Sequence, residues 1–238
     1  MLQMIKDIPP LVTPRKIRIK FAKGGDLIYI SHLDLNRTMT RAIVRARIPV
    51  KYTEGFNPRP KLVFATPLSV GCASECEYLD IKIDREMSCD DIKEKLSAQV
   101  PSGIDILDVY EPDTKFTDIL YSLYEIKIKD SQISESAGDK IKRAFEQSEL
   151  VITKRSKSGD KEVNILPYIK GLDISGKGAE IVINTKLCVS SADFLNPEYI
   201  VSIAYDKAGL SNDNYSMSAG YSIVRKALFL ADLTTNFR

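Results

Sequence analysis

The chain of 238 residues carries 34 Lys and Arg against 32 Asp and Glu, is 44% hydrophobic and has no tryptophan. That length holds one large domain or two of roughly 100 residues each, and the composition is that of a globular fold, neither disordered nor fibrous. No apolar run approaches the roughly 18 residues of a spanning helix and the opening "MLQMIKDIPPLVTPRK" lacks the order of a signal peptide, so a cytoplasmic protein is expected.

"RKIRIKFA" (15–22) alternates basic and apolar residues with period two. This predicts a half-buried strand with Ile17, Ile19 and Phe21 inward and Lys16, Arg18 and Lys20 outward. "KGGD" breaks it. Ser31 followed by Asp34 resembles a capping box with Asp in the acidic place, and opens a helix to about Ala46. At about 100° per residue, Leu35, Met39, Ala42, Ile43 and Ala46 share one face, and Arg37, Arg41 and Arg45 form a stripe on another. Pro49 is expected to stop the helix. A loop (51–60) and the extended segment "KLVFATPLSVG" follow, then a strand, "EYLDIKID" (77–84), a helix capped by Ser88, "SCDDIKEKLSAQV" (88–100), and a strand, "GIDILDVYEP" (103–112). The order β-α-β-β-α-β is the ferredoxin-like arrangement.

The second half repeats that order. A strand (123–130), a helix (135–148) and a strand, "ELVITKRS" (149–156), precede an insertion, "KEVNILPYIKGLDISGKG". Then come a strand (179–187), a helix (196–205) with Asn196 as cap and Pro197 at its first position, and "YSIVRKALFL" (221–230), read as the closing strand in preference to a helix. The expected fold is α+β: tandem ferredoxin-like domains with antiparallel sheets over residues 15–112 and 121–232, the first of them basic.

Residues 1–61 hold 13 Lys and Arg against 4 Asp and Glu, and residues 62–238 hold 21 against 28. A basic lobe joined to an acidic one suits a polyanionic partner for the first; a solvated face kept for solubility is the other reading. Guanidiniums one helical turn apart, at Arg37, Arg41 and Arg45, match neighbouring backbone phosphates, and the row lacks acidic partners four residues on. The loop "KYTEGFNPRPK" sets Tyr52, Phe56 and Asn57 beside Arg59 and Lys61. Rings among cations stack on unpaired bases, or pin the loop to the sheet.

His32 is the only histidine. It falls on the angular side of Leu35 and Met39, and so leans toward the sheet. An imidazole there suits proton transfer near neutrality. Metal-free RNA cleavage needs a base, an acid and a cation, roles for which Tyr29, His32 and a lysine such as Lys51 are the candidates; otherwise the ring hydrogen-bonds its helix terminus or the "GFNP" loop. Cys72, Cys76 and Cys89 are spaced too loosely for a zinc knuckle, Leu79 stands where a radical S-adenosylmethionine (SAM) cluster motif needs its third cysteine, and no phosphate-binding glycine motif follows a strand. No metal or cofactor is expected.

The run "YISHLDLNRTMTRAIVRARIPVKYTEGFNPRPKLVFATPLSVGCASECEYLDI" resembles the bacterial radical SAM-linked protein family, a domain of unknown function. "SHLD", a basic helix, "P-V-x-Y-x-x-G-F-N-P-x-P" and "P-L-x-V-G" occur in the family's order over roughly residues 15–112. "NILPYIKGL" (164–172) is similar to a later "R-P-Y" segment, with Leu166 where arginine is common. The resemblance implies an accessory module that handles RNA for a radical SAM protein with a cobalamin-type domain; a non-catalytic RNA-binding role is the leading reading, and a purely protein–protein adaptor, whose acidic second lobe docks the radical enzyme, is an alternative to it. The element order is also similar to that of CRISPR repeat-processing endoribonucleases, a likeness of fold only.

Overall fold

A computed structural model describes residues 9–154, 159–190, 193–210 and 220–238. The chain divides into two compact units, one reaching Asp118 and including Arg238, the other Ile119–Phe237. Both are mixed α+β with antiparallel strand pairs, and the described residues hold four α-helices.

In the first unit, β1 (Pro10–Lys23) leads through a turn of 3-10 helix (Gly25–Tyr29) into α1 (His32–Arg45). Then come β2 (Val63–Phe64), β3 (Cys72–Arg85), α2 (Cys89–Ser97) and β4 (Ile104–Tyr110). The strands lie in the order β4-β1-β3-β2. Pairing Ile17 with Ile81 and Ile19 with Leu79 puts four apolar side chains on one face. There they are sealed with Phe21 and Ile83 under Leu35, Met39, Ala42 and Ile43 of α1 and Ile92 and Leu96 of α2. Each such side chain contributes about 1.5–3 kcal/mol by leaving water. Both helices therefore cover the same face, as the period-two and period-3.6 patterns require.

Three details differ from expectation. Arg18 alternates outward, yet it is 0% exposed, because its face carries a buried partner, Asp80. The helix stop is made before Pro49: Arg47 adopts φ 56, its N–H bonds the Val44 carbonyl, and the Ile48 N–H bonds that of Ile43. This is a Schellman closure with arginine where glycine is usual. The extended segment after the loop pairs only at Val63 and Phe64, opposite Asp80 and Leu79.

The second unit runs β5 (Tyr121–Lys129), α3 (Ala137–Phe145), β6 (Val151–Lys154), β7 (Lys161–Asn164), β8 (Ile169–Lys177), β9 (Glu180–Cys188), α4 (Glu198–Ala208) and β10 (Tyr221–Phe229). Its main strand order is β10-β5-β9-β8. The strand expected at 149–156 is only the first arm of a separate β6–β7 hairpin, with 155–156 outside the described residues. The second strand of the main sheet comes instead from within the expected insertion, as β8. The closing segment is a strand, β10. Asn196 Oδ1 accepts from the Glu198 N–H, ahead of Pro197 at the helix start. No helix among the described residues is long and apolar enough to cross a membrane.

Candidate functional site

The loop after α1 folds into a projecting hairpin. The Lys51 N–H bonds the Lys82 carbonyl (2.7 Å), and the Lys61 N–H bonds that of Lys51 (3.2 Å). Tyr52 bridges Pro60, the Thr53 N–H bonds the Arg59 carbonyl, and the Arg59 N–H bonds Thr53 Oγ1 (3.1 Å). Gly55 at φ 125 turns the tip, a backbone conformation few other residues adopt. Beside it Phe56 stands 106% exposed, and Asn57, Arg59 and Lys61 are exposed too. The phenyl ring therefore does not pin the loop to the sheet.

Cations gather at the hairpin's base. A cavity of ≈ 240 Å³ is lined by Lys51, Tyr52, Thr53, Glu54, Lys61 and Lys82. A second, of ≈ 320 Å³, shares Lys61 and Lys82 and adds Lys16, Val63, Lys115 and Phe116. Lys16 and Lys82 are register partners across β1 and β3, on the face without helices. Sequence reasoning placed Lys16 outward but passed over Lys82, Lys115 and Phe116. The period-two pattern of "EYLDIKID" carries the signal for Lys82; the register that sets it opposite Lys16 is a tertiary fact.

Beneath this face lies Arg18. Its Nε and Nη2 donate to the two oxygens of Asp80 (2.7 and 3.0 Å), its Nη1 to Thr114 Oγ1 and the Arg238 backbone oxygen, and Nη2 also to the Thr114 carbonyl. Every guanidinium N–H thus has an acceptor. The Phe116 ring stacks 4.4 Å from the guanidinium carbon, and Lys16 Nζ sits 2.8 Å from Asp80.

The arginine stripe is elsewhere. Arg37, Arg41 and Arg45 are exposed on the side of α1 turned away from the sheet, whereas Lys16 and Lys82 leave the sheet's other face. The arginine row and the hairpin's lysines therefore lie on different faces of the first unit. Nor is the row unrelieved: Arg37 pairs with Asp34 (3.1 Å) and Arg45 reaches the Gln99 carbonyl (3.4 Å), leaving Arg41 with no hydrogen bond or ion pair among the described residues. The Ser31 hydroxyl, and after it Arg37, hold the Asp34 carboxyl below its ordinary range.

His32, at the first position of α1, is exposed with its ring edge-on to Phe64 of β2 (5.1 Å). The ring thus touches β2 at the sheet, but it stays exposed rather than turned from water as its angular position suggested. Tyr29 is exposed in the turn before α1, and Lys51 lines the hairpin cavity. Cys72, Cys76 and Cys188 are buried thiols, and burial pushes Cys188 up, as it does the half-buried Cys89. The described residues contain no group of three or more metal-ligating side chains.

Residues 16–197 match the family profile DUF2344, described as an uncharacterized protein conserved in bacteria. No curated protein matches the chain. Among solved structures, an unknown protein from Galdieria sulphuraria aligns over 90% of this chain and 99% of its own, at 7% identity and a TM-score of 0.26, and carries no argument.

Proposed function

The chain belongs to the DUF2344 family, and from that premise we propose that it is an accessory RNA-binding module whose first unit offers the 51–61 hairpin to single-stranded RNA. The observation that carries the reading is Phe56: a phenyl ring wholly in water, on a loop braced by its own hydrogen bonds, beside Arg59 and Lys61. A ring left in water contributes nothing to folding, whereas stacking on an unpaired base would bury it and add to binding. Tyr52 serves as a second ring, Asn57 as a hydrogen-bonding group for base edges, and Arg37, Arg41 and Arg45 as a separate track of phosphate contacts.

The strand orders β4-β1-β3-β2 and β10-β5-β9-β8, each with its helices between the first and second and the third and fourth strands, support reading both units as ferredoxin-like. Read so, the layout resembles that of CRISPR repeat-processing endoribonucleases, but a fold brings no activity with it. The motifs from "SHLD" to "PLSVG" support a role beside a radical SAM protein with a cobalamin-type domain, in the cytoplasm.

Fluorescence anisotropy with a labelled oligouridylate of about 12 nucleotides, within the ~4–16 that small single-strand-binding folds cover, tests the reading. Affinity should fall with added salt, and Phe56→Ala should weaken it by the roughly 1–3 kcal/mol of one base stack. Absence of binding, or binding indifferent to both salt and Phe56, overturns it. Incubation of RNA in chelator completes the test. Strand scission leaving 2′,3′-cyclic ends, and lost in His32→Ala, would favour instead a metal-independent endoribonuclease built on His32, Tyr29 and Lys51.

A further inference from the structure

We propose that the two adjoining cavities at the hairpin's base form a two-nucleotide site: one base lies in each, and the phosphate between them rests on Lys61 and Lys82. The inference rests on the RNA-binding reading and gives it a position.

Charge is the first argument. Lys16, Lys51, Lys61, Lys82 and Lys115 line the two cavities, against the carboxylates of Glu54 and Asp80. Asp80 is 5% exposed and already held by both oxygens on Arg18, with Lys16 at 2.8 Å, so it has little left to offer the others. Lys51, Lys61, Lys82 and Lys115 have no side-chain ion pair among the described residues. Backbone bonds fix three of them side by side, Lys82 to Lys51 to Lys61, and the β1–β3 register fixes Lys16 opposite Lys82. Asp80 relieves Lys16, but Lys51, Lys61 and Lys82, held side by side with no ion pair among the described residues, repel one another. A bound anion removes that repulsion.

The second argument is the character of the walls. Tyr52 lines one cavity; Val63 and Phe116 line the other, and Val63 is 46% exposed. Phe116 is stacked on its inner side by Arg18 at 4.4 Å and so is fixed in place. An aromatic wall in each cavity, with a lysine pair shared between them, repeats the base–phosphate–base order of a single strand. A simple phosphate site has no use for the apolar walls, and an apolar ligand none for the lysines.

The test uses the full chain and the same labelled oligouridylate, with the double variant K82A/K115A, whose side chains are exposed and outside the Phe56 tip. Circular dichroism checks that it folds. With Lys82 on the bridging phosphate and Lys115, in the second cavity, on the phosphate that flanks it, the log–log salt slope becomes shallower by about 1.4, at ~0.7 per single-strand phosphate contact. Substituting 4-thiouridine and irradiating should crosslink RNA to peptides holding Tyr52 and Phe116. If the parent binds the oligonucleotide while K82A/K115A keeps its affinity and slope, the two-nucleotide site is wrong and the RNA-binding reading survives. If the parent does not bind, both fail.

Discussion

Arg18 shows what a single residue does in this protein. A guanidinium removed from water loses several kcal/mol of hydration, recovered only if every N–H finds an acceptor. Here all five do, on Asp80, Thr114 and the Arg238 backbone oxygen. Arg18→Met should destabilise by about 3 kcal/mol, the low end of the range for a broken buried pair, since Lys16 stays beside Asp80. R18M/D80L should recover most of that loss in urea melts; equal losses in the single and double variants would mean the network contributes nothing specific. Beside it, burial chiefly, with help from Cys76 and Tyr110, pushes the Tyr78 phenol well above its ordinary value of 10. The neutral phenol is what the fold accepts. Its contribution is therefore complete below pH 10 and declines as pH rises further, when the unfolded chain ionises first. Urea midpoints should fall above pH 10, and Tyr78→Phe should flatten that fall. Sequence periodicity could place Arg18 on the outward side of β1 but not foresee that segment 113–118 covers it, because nothing local to "RKIRIKFA" encodes a contact ninety-six residues away.

Elements whose signals are local were legible. Both helices of the first unit begin with Ser-x-x-Asp, and both serines work as read: Ser31 Oγ accepts from the Asp34 N–H (3.1 Å) and Ser88 Oγ from the Asp91 N–H (3.0 Å). Ser31→Ala and Ser88→Ala should each cost about 1 kcal/mol. The loss at Ser88 should also appear as faster amide exchange, since α2 has only nine residues and a helix so short is marginal without its cap. Unchanged exchange would show that packing alone holds α2. What was not legible is pairing. Residues 149–154 look as much like a sheet strand as 169–177 do, and only the three-dimensional register makes the first a hairpin arm and the second the partner of β9. The helix ends where the sequence placed it, near Ala46, but the device that ends it was not legible: the left-handed residue is an arginine, and glycine is the signal one reads for. For the candidate site, the tip residues from Tyr52 to Lys61 were found by composition, while Lys82, Lys115 and Phe116 come from two other segments and share no local pattern with it.

Across the whole molecule, the charge division seen in sequence does not follow the units. The first unit, with Arg238, holds 19 Lys and Arg against 17 Asp and Glu, and the second holds 15 against 15. The basic stretch ending at Lys61 and the acidic stretch after it belong largely to one fold, on different surfaces. On the proposed RNA-binding reading, neither unit's net charge adds much attraction, which then comes from local clusters within about a Debye length of ~8–10 Å. Two such clusters lie on opposite faces of the first unit among the described residues: the lysines at the hairpin's base and the arginines of α1. A strand of about 12 nucleotides seated in the hairpin cavities has little length left to pass round the sheet, whereas one roughly three times longer has enough. The triple variant R37A/R41A/R45A should therefore bind the short oligouridylate as the parent does. With the longer strand its salt slope should be shallower by about 2, at ~0.7 for each lost contact. If the triple variant instead loses the short strand, α1 is itself the primary binding surface, and Phe56 and the lysines are secondary to it.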